Sequence, residues 1–210
     1  MSAAAMTYDT LVNDIKVYAD RADTPFLTQI PRFIMMAEIR IATEVSGLGF
    51  IQYVTSDMVP NEPVVAKPEN WRETISLSIG LTVSSTAKRA WLYERSYEFC
   101  RTYAPTPTET GMPLYFADYD YEHFLIAQTP DLAYPFELAY RARPDPLSPE
   151  NQTSWTTKYA PNLILYAALL ETAPFLKNDA RIAVFQTMYD RASAAVTAED
   201  KKRRMQTGRD

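Results

Sequence analysis

Proton transfer near neutral pH is built most readily on histidine, and this sequence has one, His123, set between Glu122 and Phe124 in an aromatic-rich stretch. A Ser-His-Asp or Cys-His device would have to use it as base, but nothing in its surroundings marks such a device, and a structural role is expected. The single cysteine, Cys100, lies in Tyr97-Glu98-Phe99-Cys100-Arg101, where no helix start or basic cluster is evident to lower its pKa. A buried, inert thiol is the expectation, and one cysteine excludes both an intramolecular disulfide and a multi-cysteine zinc site. Gly47-Leu48-Gly49 is the nearest approach to a phosphate loop, yet it follows a helical pattern instead of preceding one and is expected to cap and turn the chain. The run Asp118-Tyr119-Asp120-Tyr121-Glu122 gathers oxygen ligands but lacks the spacing and central glycine of a calcium loop. Its alternation with tyrosine suits a strand or edge whose charges stay in water. Paired carboxylates for acid and base work stay open, because 26 acidic residues offer pairs that only a fold can place. No catalytic residue, cofactor or metal site is therefore assigned.

Charge narrows the partners. A formal net charge of -5 repels a phosphate backbone, so a broad basic face for tight nucleic-acid binding is not expected, although DNA passing nearby is compatible. The sharpest charge feature is Lys201-Lys202-Arg203-Arg204, which is either a solvated tail or a flexible arm that docks on an acidic partner and orders there. Proline at 15 against glycine at 5, with 14 tyrosines, points to defined turns and amphipathic contact surface. No leader pattern and no long apolar run is evident, so a reducing cytoplasm is the expected site of synthesis, without membrane insertion.

The elements that must position these groups follow from hydrophobic period. Tyr8, Leu11, Val12, Ile15, Tyr18 and Ala19 recur at helical spacing behind Thr7 as N-cap. Thr24-Pro25 resets the chain, and a second helix is expected from about Pro31, carrying Phe33, Ile34, Ala37, Ile41, Ala42 and Val45 on one side, with Gly47 to end it. From Phe50 to about Pro146 the period changes. Ile75, Leu77, Ile79, Leu81 and Val83 alternate with polar residues as a half-buried strand does, and further strands are expected at Gln52 to Met58, Ala90 to Tyr93, Leu114 to Phe116, His123 to Ala127 and Phe136 to Tyr140. Pro60 to Pro68 and Pro105 to Pro113 are expected as exposed loops. After Pro149 the helical period returns. Pro161 suits a first helical position, Leu163 to Leu170 is apolar on every side, and after a break at Lys177 to Asp179 a last helix carries Ile182, Phe185, Met188, Tyr189, Ala192, Ala195 and Val196.

The resulting fold class is α+β: a small helical bundle formed by N- and C-terminal helices, with a central antiparallel β insertion lobe. The expected parts are 1–49 and 151–198 as the two halves of the bundle, 50–150 as the β lobe and 199–210 as a flexible basic tail.

The chain resembles the head-to-tail adaptor, or tail-tubular-like, proteins of tailed bacteriophages. The resemblance rests on Tyr8 to Ala19, then Phe26-Leu27, Ile30-Pro31-Arg32-Phe33-Ile34 and Ala37-Glu38-Ile39-Arg40-Ile41, and on Lys67-Pro68-Glu69-Asn70-Trp71-Arg72-Glu73 entering a strand. In the C-terminal part it rests on Asn151-Gln152-Thr153-Ser154-Trp155, on Pro161 leading into Leu163 to Glu171, and on Asn178-Asp179-Ala180-Arg181. It implies a structural virion protein with no catalysis and no cofactor, assembled as a ring of about twelve copies below the portal. Its implied partners are the portal, tail proteins such as a nozzle or tail tube, and further copies of itself, with viral DNA passing through the lumen without sequence-specific binding. Lys201, Lys202, Arg203 and Arg204 are the candidate portal-docking residues. The implied location is the virion head-to-tail interface. Two other readings remain: a different tail or stopper ring component, and a carbohydrate-binding protein using the aromatic and acidic residues of Tyr115 to Glu122.

Overall fold

The computed structural model describes residues 5–45, 47–80, 88–176 and 179–206. In chain order its elements are α1 (Tyr8–Ala19), α2 (Thr24–Glu44), a short 3-10 turn (Leu48–Phe50), β1 (Ile51–Asp57), β2 (Val64–Ala66), β3 (Trp71–Ile79), β4 (Ala90–Glu94), α3 (Tyr97–Tyr103), β5 (Thr110–Gly111), β6 (Tyr115–Asp118), β7 (His123–Ala127), β8 (Thr129–Pro130), β9 (Pro135–Ala142), α4 (Trp155–Tyr159), α5 (Pro161–Leu176) and α6 (Asp179–Gln206). The α+β class is borne out. The chain divides into two compact units, Met1–Phe50 with Arg143–Asp210, and Ile51–Ala142.

In the helical unit α1 begins at the expected cap. The Thr7 hydroxyl accepts the Thr10 N–H at 3.2 Å and the Thr10 hydroxyl accepts the Thr7 N–H at 2.8 Å, which satisfies two of the amides a helix start leaves unpaired. α2 starts seven residues earlier than the sequence reading placed it: Asp23 caps it, Pro25 sits in its first turn, and Pro31 lies inside it. An interior proline costs a helix about 3 kcal/mol, and here that cost is offset by Phe26, Ile30, Phe33 and Ile34, all buried on either side of it. The cap at the other end is Val45 in extended conformation, with its N–H on Ile41 O, so Gly47 is not the terminator. α5 is buried on all sides, as its unbroken apolar run requires, and packs against α1, α2, α4 and α6. Pro161 occupies its first position. α4 is an unanticipated short helix whose Ser154 and Thr157 form a second capping box.

Two boundaries differ from the sequence reading. The hydrophobic period places the segment after Ala142 in the β lobe as far as residue 150, whereas Arg143 onward belongs with the helices, because Leu147 buries its side chain in their core. Residues 199–206, read as part of a flexible tail, are the last turns of α6. Lys, Arg, Met and Gln are good helix formers, Arg203 pairs with Glu199 one turn back at 2.5 Å, and Asp200 is buried. Residues 207–210 and the 177–178 portion of the expected helix break lie outside the described residues.

The second unit is a seven-stranded sheet in the order β1-β9-β3-β4-β6-β7-β2, with a separate β5-β8 pair. Its pairings are antiparallel except β4 with β6, and β5 with β8, which are parallel, so the expected antiparallel lobe is in fact mixed. A parallel pair needs a crossover, and α3, which strand periodicity concealed, lies in the connection between β4 and β6. Pro60 to Pro68 is not simply a loop: it holds β2, paired to β7, and the buried Lys67. β5 likewise lies inside the stretch Pro105 to Pro113. Leu77 and Ile79 are buried as expected, but Ile75 is exposed, because β-bulges between Trp71 and Glu73 and between Thr74 and Ser76 shift the register. Leu81 and Val83 of that expected strand lie outside the described residues. Leu77, Ile79, Phe116, Phe124, Phe136 and Leu138 build the core of this unit.

Candidate interaction surface

The residues singled out for chemistry are held in local structural contacts. His123 Nδ1 lies 2.9 Å from Asp120 Oδ1, which also accepts the Glu122 N–H at 2.7 Å, so the pair stabilises the turn between β6 and β7. Asp118 Oδ1 meets Lys67 Nζ at 2.8 Å. Asp118 is thus engaged by Lys67 and Asp120 by the His123 ring and the Glu122 N–H. Cys100 does sit in the helix α3, begun by Ser96, a start that the sequence reading did not see. Burial pushes its thiol pKa up nonetheless, with Arg101 and Arg95 pulling weakly the other way. Among the described residues no group of three or more His, Cys, Asp or Glu is placed to hold a metal ion, and no helix is long and apolar enough to cross a membrane.

Of the basic run, Lys201, Lys202 and Arg203 are exposed on α6, and the Arg204 side chain lies outside the described residues. Four consecutive helical residues are spread about 100° apart around the axis, so no one face of α6 presents all four charges. A helix end with charges on several sides meets a partner differently from an extended basic arm.

A surface that sequence reading missed lies on α3 and the neighbouring strands. Ser96 caps α3 by accepting the Phe99 N–H at 3.2 Å, and Cys100 turns inward to Ala117, Leu125 and Ala127. The remaining faces then expose Tyr97, Phe99 and Tyr103. The Tyr115 ring on β6 receives Phe99 edge-on at 5.1 Å and Tyr103 edge-on at 4.8 Å, with Tyr93 of β4 at 6.4 Å. Arg95 lies 5.8 Å over Phe99 and 5.7 Å over Tyr115. Arg101 lies 5.2 Å over Tyr97, donates to its hydroxyl at 3.1 Å, and reaches Tyr119 at 6.0 Å. Neither arginine is in an ion pair among the described residues. Rigid exposed tyrosines with pre-oriented arginines are the residue types that dominate protein interfaces. The signal available in sequence was the Phe99 and Tyr103 pair at i and i+4 behind a serine cap, outweighed there by the strand-like period on either side.

Besides Asp200, two acidic or basic side chains are buried among the described residues, Lys67 and Glu38. Lys67 Nζ, besides its pairing with Asp118, donates to Asp120 O at 2.8 Å and sits 3.8 Å over the Trp71 ring and 4.7 Å over Phe124. Glu38 on α2 is 6% exposed and accepts the Leu147 N–H at 3.1 and 3.3 Å. Burial raises its pKa to about 7 against the opposing pull of that amide.

The chain is thus a two-unit α+β protein in which His123 is held in a turn, Cys100 is packed inward, and an aromatic and arginine cluster stands exposed on the sheet unit. The family model of the SU10 adaptor protein matches residues 6–209. The chain belongs to that family, a family of phage head-to-tail adaptors. No match was found among curated proteins.

Proposed function

We propose that the chain forms a ring of about twelve copies below the portal, joins the capsid to the tail and lines the channel through which viral DNA passes. The observation that carries this reading is the family match, which extends over residues 6–209 and so takes in both compact units. The protein acts without catalysis. It is made in the cytoplasm of the bacterial host and ends in the virion at the head-to-tail interface. The helical unit, as a bundle of N- and C-terminal helices, supplies contacts to the portal and to neighbouring copies. The sheet unit faces the tail proteins or the adjacent copy through the Tyr97, Phe99, Tyr103 and Arg101 surface. The net charge of -5 suits a channel wall that does not trap DNA.

Lys201, Lys202, Arg203 and Arg204 are proposed as portal contacts presented on the end of α6. Truncation after Thr197 would remove the buried Asp200 as well as the charges, so charge reversal is the cleaner perturbation. The test is electron microscopy of the purified protein mixed with its cognate portal ring, beside a Lys201→Glu, Lys202→Glu, Arg203→Glu variant. An added ring layer on the portal is the expected result, weakened or lost in the variant. A full-length protein that never decorates the portal while both stay soluble overturns the adaptor placement. Full decoration by the variant removes the basic residues from the docking contact.

A further inference from the structure

The seven-stranded sheet is open. Among the described residues β1 at one edge pairs with β9 alone, and β2 at the other edge pairs with β7 alone, so each leaves a row of backbone N–H and C=O groups without a strand partner there. The sheet curls enough that both edges line one cavity of about 620 Å³. Val54, Val64, Val65, Phe136 and Leu138 give it an apolar wall. At its margin stand Asp57 and Glu62, both exposed and neither in an ion pair among the described residues.

Free edges in soluble proteins are commonly blunted by lysine, proline or brevity. β1 runs for seven residues, Ile51–Asp57, with neither lysine nor proline within it. The chemistry that matches this groove is specific. Unpaired strand groups are satisfied by an extended backbone, an apolar wall beneath a strand accepts side chains at every second position, and two uncompensated carboxylates call for a cation. A small apolar ligand would satisfy the wall and leave the edges and the charges unmet.

We propose that the groove between β1 and β2 receives an extended segment of a partner protein, which adds a strand along β1. It places apolar side chains at alternate positions over Val54, Phe136 and Leu138, and a lysine or arginine beside Asp57 and Glu62. The site is separate from the aromatic surface on α3 and stands whether or not the ring is placed correctly.

The probe is a fluorescein-labelled peptide, Lys-Val-Thr-Val-Thr-Val-Thr, titrated with the full-length chain and followed by fluorescence anisotropy. Saturable binding is expected, falling at least about tenfold when alternate backbone amides of the peptide are N-methylated, because the methyl groups remove the ladder donors. The Asp57→Lys, Glu62→Lys variant, changed only at exposed positions, is expected to lose binding of that peptide and to gain about tenfold for the same peptide led by glutamate. That gain of binding reports a folded protein as well as the charge pairing. Absence of saturable binding, or equal binding of the N-methylated peptide, overturns the proposal. Self-association that the charge swap abolishes, without peptide binding, also overturns it and makes a second copy the occupant.

Discussion

Glu38 offers the sharpest quantitative test of the helical unit. Its carboxylate is enclosed on α2 and receives one backbone donor, Leu147 N–H, with no cation paired to it among the described residues. Burial therefore outweighs the hydrogen bond and holds its folded pKa at about 7, against an ordinary 4.5. The folded state binds this proton more tightly than the unfolded chain. The stability it contributes is complete below about pH 4.5, declines as pH rises to about 7, and is gone above that. At about 1.4 kcal/mol per pH unit, the gap between 4.5 and about 7 amounts to about 3 kcal/mol. Glu38→Gln keeps the shape and an acceptor for Leu147 N–H but never ionises. Urea unfolding of both proteins, followed by far-ultraviolet circular dichroism from about pH 4.5 to about pH 8, isolates the effect in the difference between them. Any fixed cost of placing the glutamine amide cancels, as do the other carboxylates. Relative to wild type, the variant should gain about 3 kcal/mol across that range. A difference that stays flat, or a variant that loses ground as pH rises, would refute the claim that this carboxylate is buried without compensation.

Other outcomes follow from particular contacts. Lys67→Met keeps the aliphatic stem but removes the ammonium from Trp71, Asp118 and Asp120 O, and should cost about 2 kcal/mol in chemical denaturation of the sheet unit. Gly49→Ala would set a Cβ 2.1 Å from the Trp155 ring, so a loss of about 3 kcal/mol with altered tryptophan fluorescence is expected. Ser154→Ala removes the cap of α4 and should lower stability by about 1 kcal/mol, read as a small drop in the thermal midpoint. Phe99→Ala with Tyr103→Ala removes two edge-on contacts to Tyr115 and should cost about 1–2 kcal/mol in chemical denaturation, leaving the folded far-ultraviolet circular dichroism in place, while weakening assembly with tail proteins or neighbouring copies at least about tenfold in a sedimentation assay run below the melting range. Unaltered assembly would dismiss the α3 surface as a contact.

What could be read from the residues in order was whatever depends on near neighbours. The Thr7 cap, the start of α5 at Pro161 and its all-round burial, the strand His123–Ala127 and the burial of Cys100 each follow from near neighbours, and each is found in the folded chain. The family was also legible, because its motifs are ordered along the chain. Contacts between distant segments were not. Pro31 stays helical because buried side chains on both flanks outweigh a local penalty, and Arg143 to Glu150 joins the helices because Leu147 finds its pocket there. The aromatic surface exists because Cys100 packs inward and turns Phe99 and Tyr103 out beside Tyr115, a residue on another strand. The groove between β1 and β2 depends on curl, which sets side by side two strands that no local pattern relates. Glu38 and Lys67 look like ordinary surface charges until long-range packing removes their water, and desolvation by a distant segment leaves no trace in the residues adjacent to it.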